Sequence, residues 1–446
     1  MENLERTMNK SDVIAIPFPV QGHINPLLQF CKRLAFKGLK ITLLIFSNKP
    51  IYQTNSNSSL NIHTIFHNLD HNSPHYLQLI QALVSKELTQ LLAKQQTHVS
   101  CLVYDSVMPW ALDIARQFGI AGASFFTQPC AVCTVYYHVH QAYLKLPVED
   151  QTVLLPGLPL LRASELPSYV YDILSYPSLT TLAVNQFSNF KDVDWIFFNS
   201  FTALEEEVIN WLTSQGMKIT LIGPTTPSLK QVEDNSEYGV SLFRPEVDSC
   251  IKWLDSKENG SVVYVSFGSL AALREEQMEE IAWGLKGSNS YFLWVVREEE
   301  REKLPRNFVE ETAEKGLIVS WCRQLDVLAH KSIGCFITHC GWNSTTEAIS
   351  LGVPLIAIPQ WADQTTNAKF IADVWQIGIS AKTDEKGLVT KQEVELCINE
   401  IMVGEKRSHI RKNSEKWKKL AIEAAVKGGS SDKNIDKFIT AIRSSS

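Results

Sequence analysis

Strand-length apolar runs recur along this chain, each followed by apolar residues at helical spacing, and that alternation admits few folds. VIAIPF at 13–18 is continuous rather than alternating, and Ile24, Leu27, Leu28, Cys31, Leu34 and Ala35 then repeat with helical period before KITLLIF at 40–46. Continuous apolar strands are buried on both faces, so the pattern predicts a parallel sheet covered by helices on either side. Gly38 stands where a helix C-terminal glycine belongs. SCLVYD at 100–105, the helical MPWALDIARQFG and the strand ASFF continue the series.

After WIFFNS and LIGP comes a polar, irregular stretch, TTPSLKQVEDNSEYGVSLFRPEVD at 225–248, with the composition of a linker. Beyond it the alternation restarts with SVVYVSFGS, YFLWVV, GLIVSW, GCFITH and PLIAIP. A chain of 446 residues is too long for one ordinary core, and the two series predict two doubly wound α/β domains.

Composition excludes several function classes. A net charge of -6, with both signs interleaved, offers no basic stripe for a nucleic acid. The charge run REEEREK at 297–303 reads as a solvated loop without a role. No apolar run approaches the roughly 20 residues of a membrane span. The polar N-terminus, with Pro17 and Pro19 interrupting the first apolar stretch, lacks a signal pattern, so the expected location is cytoplasmic. Nine cysteines without a secretion signal read as reduced thiols. Cys130 and Cys133 form a C-x-x-C with no second pair at zinc spacing and read as small buried hydrophobes.

The densest chemistry lies in CFITHCGWNSTTEAISLGVPLIAIPQWADQ at 335–364. In parallel α/β sheets ligands gather at the carboxyl ends of strands, where the next helix offers free N–H groups and the positive end of its dipole. GCFITH ends at His339, and a helix opens around Gly341, Asn343 and Ser344, so a cationic-capable ring, side-chain hydrogen-bonding groups and free amides converge on a place suited to a diphosphate. Glu347, one turn beyond Asn343, suits vicinal ribose hydroxyls rather than phosphate. Trp321 can set an indole face against a flat base, and Asp363 and Gln364 end the next loop as hydroxyl-binding groups. Taken singly, Trp321 and Trp342 read as core aromatics, His339 as a satisfied histidine, and Asn343 and Ser344 as ordinary caps. Together they read as a nucleotide-sugar site.

His23, in PVQGHINP, opens the helix after the first strand, where the dipole disfavours the imidazolium and predicts a neutral, basic ring. A capping histidine is the plain alternative. Asp105 ends another strand of the same sheet at the same edge and can orient the ring by accepting from its other nitrogen, as in a catalytic dyad. DVD at 192–194 has the form of a metal-binding D-x-D but precedes its strand, the wrong end for a ligand, and reads as a solvated turn.

Over Trp321 to Gln364 the chain resembles the signature box of plant secondary-product UDP-glycosyltransferases, W-x-P-Q…H…G-F-x-T-H-C-G-W-N-S-x-x-E…G-V-P…D/E-Q. The likeness extends to PFPVQGHINPLLQF, NSFTALE and WLDSKENGSVVYVSFGS. It looks closest to the branch that glucosylates small carboxylic acids, thiohydroximates and terpenoid or steroid alcohols. The resemblance implies a GT-B type α/β fold, two Rossmann-like parallel-sheet domains facing each other across a cleft. The implied parts are an acceptor-binding domain over 1–245, a UDP-sugar-binding domain over 246–430, and a helix over 431–446 packing back on the first. It implies His23 and Asp105 as the catalytic pair and Trp321 for uracil stacking. Phosphate contacts fall to His339, Asn343, Ser344 and Ser269, and ribose contacts to Glu347. Sugar hydroxyls fall to Trp342, Asp363, Gln364 and Thr127, with the terminal Gln of the box being the glucose-type choice.

The implied reaction is inverting transfer of glucose from UDP-glucose, a co-substrate, to a hydroxyl or carboxyl of a small hydrophobic acceptor, without metal or further cofactor and in a monomer. Two departures stand out. Arg323 replaces the usual proline, leaving the donor-side Gln324 in place, and the segment between HTIFHNLDHN and Asp105 is short for this branch. VMPW, FFTQPCAVCTVYYH and ELPSYVYDIL supply aromatic and apolar side chains suited to a large hydrophobic aglycone. Ester formation on benzoic or auxin-like acids is the alternative reaction. A non-catalytic nucleotide-sugar binder would not need His23 and Asp105 together, and a nicotinamide enzyme would need a G-x-G-x-x-G that the first strand lacks.

Overall fold

A computed structural model describes residues 12–48, 59–70, 73, 75–94, 99–226 and 247–444. Most of the linker read at 225–248, and with it the boundary between 245 and 246, lies outside the described residues. The first sheet contains β1 (Asp12–Ile16), β2 (Lys40–Ser47), β3 (Leu60–Phe66), β4 (Val99–Asp105), β5 (Ala121–Phe126), β8 (Trp195–Phe198) and β9 (Ile219–Leu221). A small antiparallel pair, β6 (Thr152–Val153) and β7 (Leu161–Arg162), stands apart. The second sheet contains β10 (Val262–Ser266), β11 (Tyr291–Val295), β12 (Gly316–Val319), β13 (Ile333–Thr338), β14 (Leu355–Ala357) and β15 (Gly378–Ser380).

Strand order is β3-β2-β1-β4-β5-β8-β9 in the first sheet and β12-β11-β10-β13-β14-β15 in the second, with every pairing parallel. This is the two-domain, doubly wound α/β architecture that the alternation predicts. In each sheet the order reverses once at its centre, between β1 and β4 and between β10 and β13. A crevice opens at such a switch point, beyond the carboxyl ends of the two strands. The ends are Ile16 and Asp105 in one sheet and Ser266 and Thr338 in the other, so both candidate clusters fall where topology leaves room for a ligand.

The helices follow from the same pattern. In α1 (Gln21–Phe36) the residues read as a core face, from Ile24 to Ala35, are buried, and the chain leaves the helix through Gly38 at φ +91°, a conformation that costs glycine nothing. The helix α2 (Trp342–Leu351) ends the same way at Gly352, φ +73°. The short helix α3 (Gln364–Lys369) follows the last loop of the signature box.

The final helix, α4 (Ser430–Ser444), belongs by packing to the first domain. Ile435, Phe438, Ile439 and Ile442 join the core that holds Leu27 and Phe30 of α1, and the Phe438 ring lies 5.0 Å from Phe197 and 5.4 Å from Trp195. Each such side chain contributes roughly 1.5–3 kcal/mol by burial. Lys37 Nζ pairs with Asp432 and Asp436, both at 2.7 Å, and fixes the register of α4 on α1.

Candidate active site

His23 is the third residue of α1, and Asp105 is the last of β4, the central neighbour of β1. Their juxtaposition is a product of the switch point: the ring Nδ1 lies 2.7 Å from Asp105 Oδ2. Asp105 is fully buried, and its carboxylate also accepts from the Phe18 and Val107 main-chain N–H groups, both at 3.3 Å. A carboxylate facing Nδ1 holds the proton there, which leaves Nε2 as the basic nitrogen. Thr127 Oγ1, just past β5, lies 3.2 Å from the same Nδ1.

Burial works against the imidazolium, but the charge and hydrogen bond of Asp105 and the charge of Asp363 outweigh it and hold His23 above its ordinary 6.5. This corrects the expectation from the helix dipole, which pointed downward: two carboxylates at close range act more strongly than a partial charge at a helix end.

Facing this pair is the signature-box cluster. His339 follows β13, with its ring between Gly268 and Gly341. A Cβ at Gly268 would lie 2.8 Å from His339 Cε1, and one at Gly341 would lie 2.5 Å from Nε2, so only glycine fits on either side. Burial pushes the imidazole down to about 4, and Arg297 adds to the effect against a Ser266 main-chain hydrogen bond. His339 is therefore neutral near pH 7, not the cationic ring that its residue type suggests. Any anion here meets N–H donors rather than an imidazolium. The first helical bond of α2 is Thr345 N–H to Gly341 O, so the N–H groups of Asn343 and Ser344 precede the ladder.

Gln324 organises the end of the cluster that the resemblance assigns to the nucleoside. Its Nε2 donates to Ser344 Oγ at 2.9 Å and Glu347 Oε2 at 2.7 Å, while its Oε1 accepts from the Tyr264 hydroxyl at 3.2 Å. Half-buried Trp321 lies just beyond β12. Arg323, in the usual proline position, directly precedes the helix Gln324–Ala329 and pairs with its Asp326 at 2.7 Å. Ser269 is half-buried on the loop after β10.

At the end that the resemblance assigns to the sugar, Asp363 is buried and its Oδ2 accepts from Asn367 Nδ2 at 2.7 Å. Burial raises its carboxyl to about 6, against the Asn367 amide, main-chain N–H groups and the His23 charge, which favour the anion. Gln364 Oε1 accepts from the main-chain N–H groups of Gln360 and Trp361, leaving its Nε2 to donate to a ligand. The Trp342 indole N–H is held by Asn199 O at 2.8 Å, across the domain interface.

Two features escaped the sequence, and a third was read correctly as a turn. Asn343 Nδ2 donates to Gly22 O at 2.8 Å, tying the donor box to the residue before His23. Contacts of that kind, 321 positions apart, leave no local signal. Arg297, inside the charge run read as a solvated loop, is buried; it donates to Gly268 O at 3.3 Å and pairs with Glu299. Asp194 of DVD accepts from Arg116 and from Gly122 N–H, both at 2.8 Å, at the amino end of β8, so it pins a turn. The nine cysteines are buried and form no disulfide. Among the described residues no three His, Cys, Asp or Glu side chains converge to hold a metal, and no helix is long and apolar enough to cross a membrane.

Residues 220–416 match the family described as UDP-glucoronosyl and UDP-glucosyl transferase. Mogroside I-E synthase of Siraitia grosvenorii is 48% identical over 98% of this chain and 100% of its own length. UDP-glycosyltransferase 74E2 of Arabidopsis thaliana is 47% identical over 96% and 98%. Among solved structures, Os79 from O. sativa in complex with UDP superposes with a TM-score of 0.88 at 36% identity, over 96% of this chain and 100% of that one. Os79 has also been solved with U2F and a trichothecene.

Proposed function

The chain belongs to the plant UDP-glycosyltransferases, enzymes that glycosylate small molecules, and from that premise we propose that it transfers glucose from UDP-glucose to a hydroxyl of a hydrophobic acceptor such as a steroid, triterpenoid or phenolic. The observation that carries this reading is the 2.7 Å pairing of His23 Nδ1 with Asp105, which leaves Nε2 to take a proton. The acceptor oxygen attacks the anomeric carbon as Nε2 takes its proton, the bond from that carbon to the diphosphate oxygen breaks, and UDP leaves. A single displacement from the opposite face inverts the centre, giving a β-glucoside from the α-linked donor. The Asn343 and Ser344 amides and neutral His339 meet the charge growing on the diphosphate, so the transfer runs without a divalent metal.

His23 feels the charges of both Asp105 and Asp363. An ionised carboxylic acid would add a third negative group there, which favours a neutral hydroxyl over the ester-forming alternative. Mass spectrometry of UDP-glucose incubated in excess chelator with phenolics, steroids, triterpenoids and benzoic or auxin-like acids tests this. The expected products are alcohol β-glucosides, formed at unchanged rate under chelation and fastest with UDP-glucose among UDP-sugars. Ester products alone, preference for UDP-galactose or UDP-glucuronate, or rates restored only by Mn²⁺ would overturn it.

Asp363 gives this reading a pH dependence. Its carboxyl titrates at about 6, and only the anion accepts from sugar hydroxyls through both oxygens. UDP-glucose binding should therefore tighten as pH rises from 5 to 7, by up to roughly tenfold, the linkage limit for one group. Calorimetry at the two pH values checks this, and the dependence should flatten in Asp363→Asn.

A further inference from the structure

Ala362, the residue before Asp363, has φ +58°, in the left-handed region that an L side chain rarely adopts. Something must hold it there, and the partner comes from the other domain. Ala362 N–H donates to Ser168 Oγ at 2.7 Å, and Ala362 O accepts from Ser168 N–H at 2.9 Å. Ser168, 2% exposed, opens the short helix Ser168–Tyr171 of the first domain. Two further ties flank this clasp: Thr365 Oγ1 donates to Leu166 O and Thr366 Oγ1 to Glu165 O, each at 2.7 Å. The turn itself is closed by Gln364 Oε1 on the N–H groups of Gln360 and Trp361, and Ser168 grips its apex beside the Trp361 ring, which lies against Tyr169 and Tyr176 of the same first-domain segment.

We propose that Ser168 is a positioning residue for the donor sugar: the acceptor-side domain holds Ala362 left-handed, and that conformation aims Asp363 and Gln364 at the sugar hydroxyls. This rests on reading those two residues as sugar contacts. Without the clasp the φ of Ala362 relaxes toward negative values, and the following peptide and the Asp363 side chain turn with it. The nucleoside contacts, on Trp321, Gln324 and Glu347, belong to other loops and keep their geometry, while α2 meets Asp363 at the main-chain N–H of its first residue, Trp342. The sugar end of the donor site is thus completed only when the two domains are docked.

The test separates sugar from nucleotide. Ser168→Ala should raise the KM for UDP-glucose roughly three- to tenfold, the effect of one hydrogen bond, and narrow the preference over UDP-galactose, with the Kd of UDP within about twofold. Ser168→Thr keeps the hydroxyl and should stay near wild type. Ala362→Val and Ala362→Gly probe the backbone independently of Ser168: valine, strained at positive φ, should raise the UDP-glucose KM while glycine should not. Asp363→Ala is the control. If it raises the UDP-glucose KM while Ser168→Ala and Ala362→Val leave it unchanged, or weaken UDP equally, the positioning role is wrong. If Asp363→Ala itself has no effect on that KM, the sugar-contact reading falls and the inference falls with it.

Discussion

Replacing His23 with alanine should lower kcat for an alcohol acceptor by roughly 10²- to 10⁴-fold, the usual contribution of a positioned proton transfer. An acceptor already ionised as a carboxylate has no proton to lose and should suffer less. Donor affinity should not be untouched, although the donor box lies in the other domain. The charge of His23 favours the Asp363 anion, so without the ring the Asp363 carboxyl rises further and UDP-glucose binding weakens modestly near pH 6. Steady-state kinetics on an alcohol and an acid, with calorimetry for the donor, reads all three effects. Near-wild-type turnover of the alcohol by His23→Ala would place the base elsewhere.

Asp105→Ala should give the second-largest loss, roughly 10- to 10³-fold in kcat, because in the proposed mechanism Asp105 orients and electrostatically supports the base without replacing it. The double variant should lose less than the product of the single losses, as expected for residues acting as one unit. A pH profile adds an independent readout. The base works only when neutral, so wild-type kcat should fall as pH drops through the raised His23 value, above 6.5. With Asp105 gone, burial becomes the dominant influence and the acid limb should move to lower pH. An unmoved limb would show that Asp105 does not set the basicity of His23.

Much of this site was legible because it sits where local rules are strong. His23 and Asp105 each follow a continuous apolar run, and strand ends at a parallel-sheet switch point are where side chains converge. The GCFITH strand and the helix after it were readable for the same reason. Charge states were not. His339 announces its residue type but not its burial, and the helix position of His23 gave a direction that two carboxylates reverse. Arg297 sat within a run whose composition says solvent, while its guanidinium is buried against the loop after β10. Cross-domain contacts were invisible altogether: neither Asn343 to Gly22 nor Ser168 to Ala362 has any periodicity to betray it.

The packing of α4 has a consequence for how the protein is made. Its apolar row closes the core formed by α1 and Phe197, so the first domain depends on a helix synthesised much later. At ribosomal speeds of about 5–20 residues per second, the stretch between residues 226 and 444 takes roughly ten to forty seconds to emerge. Through that interval the first sheet and α1 carry an uncovered stripe around Phe30, Leu34 and Phe197, a surface that chaperones recognise and neighbouring nascent chains can stick to. Emergence of α4, not completion of the first sheet, is therefore the event that seals that core.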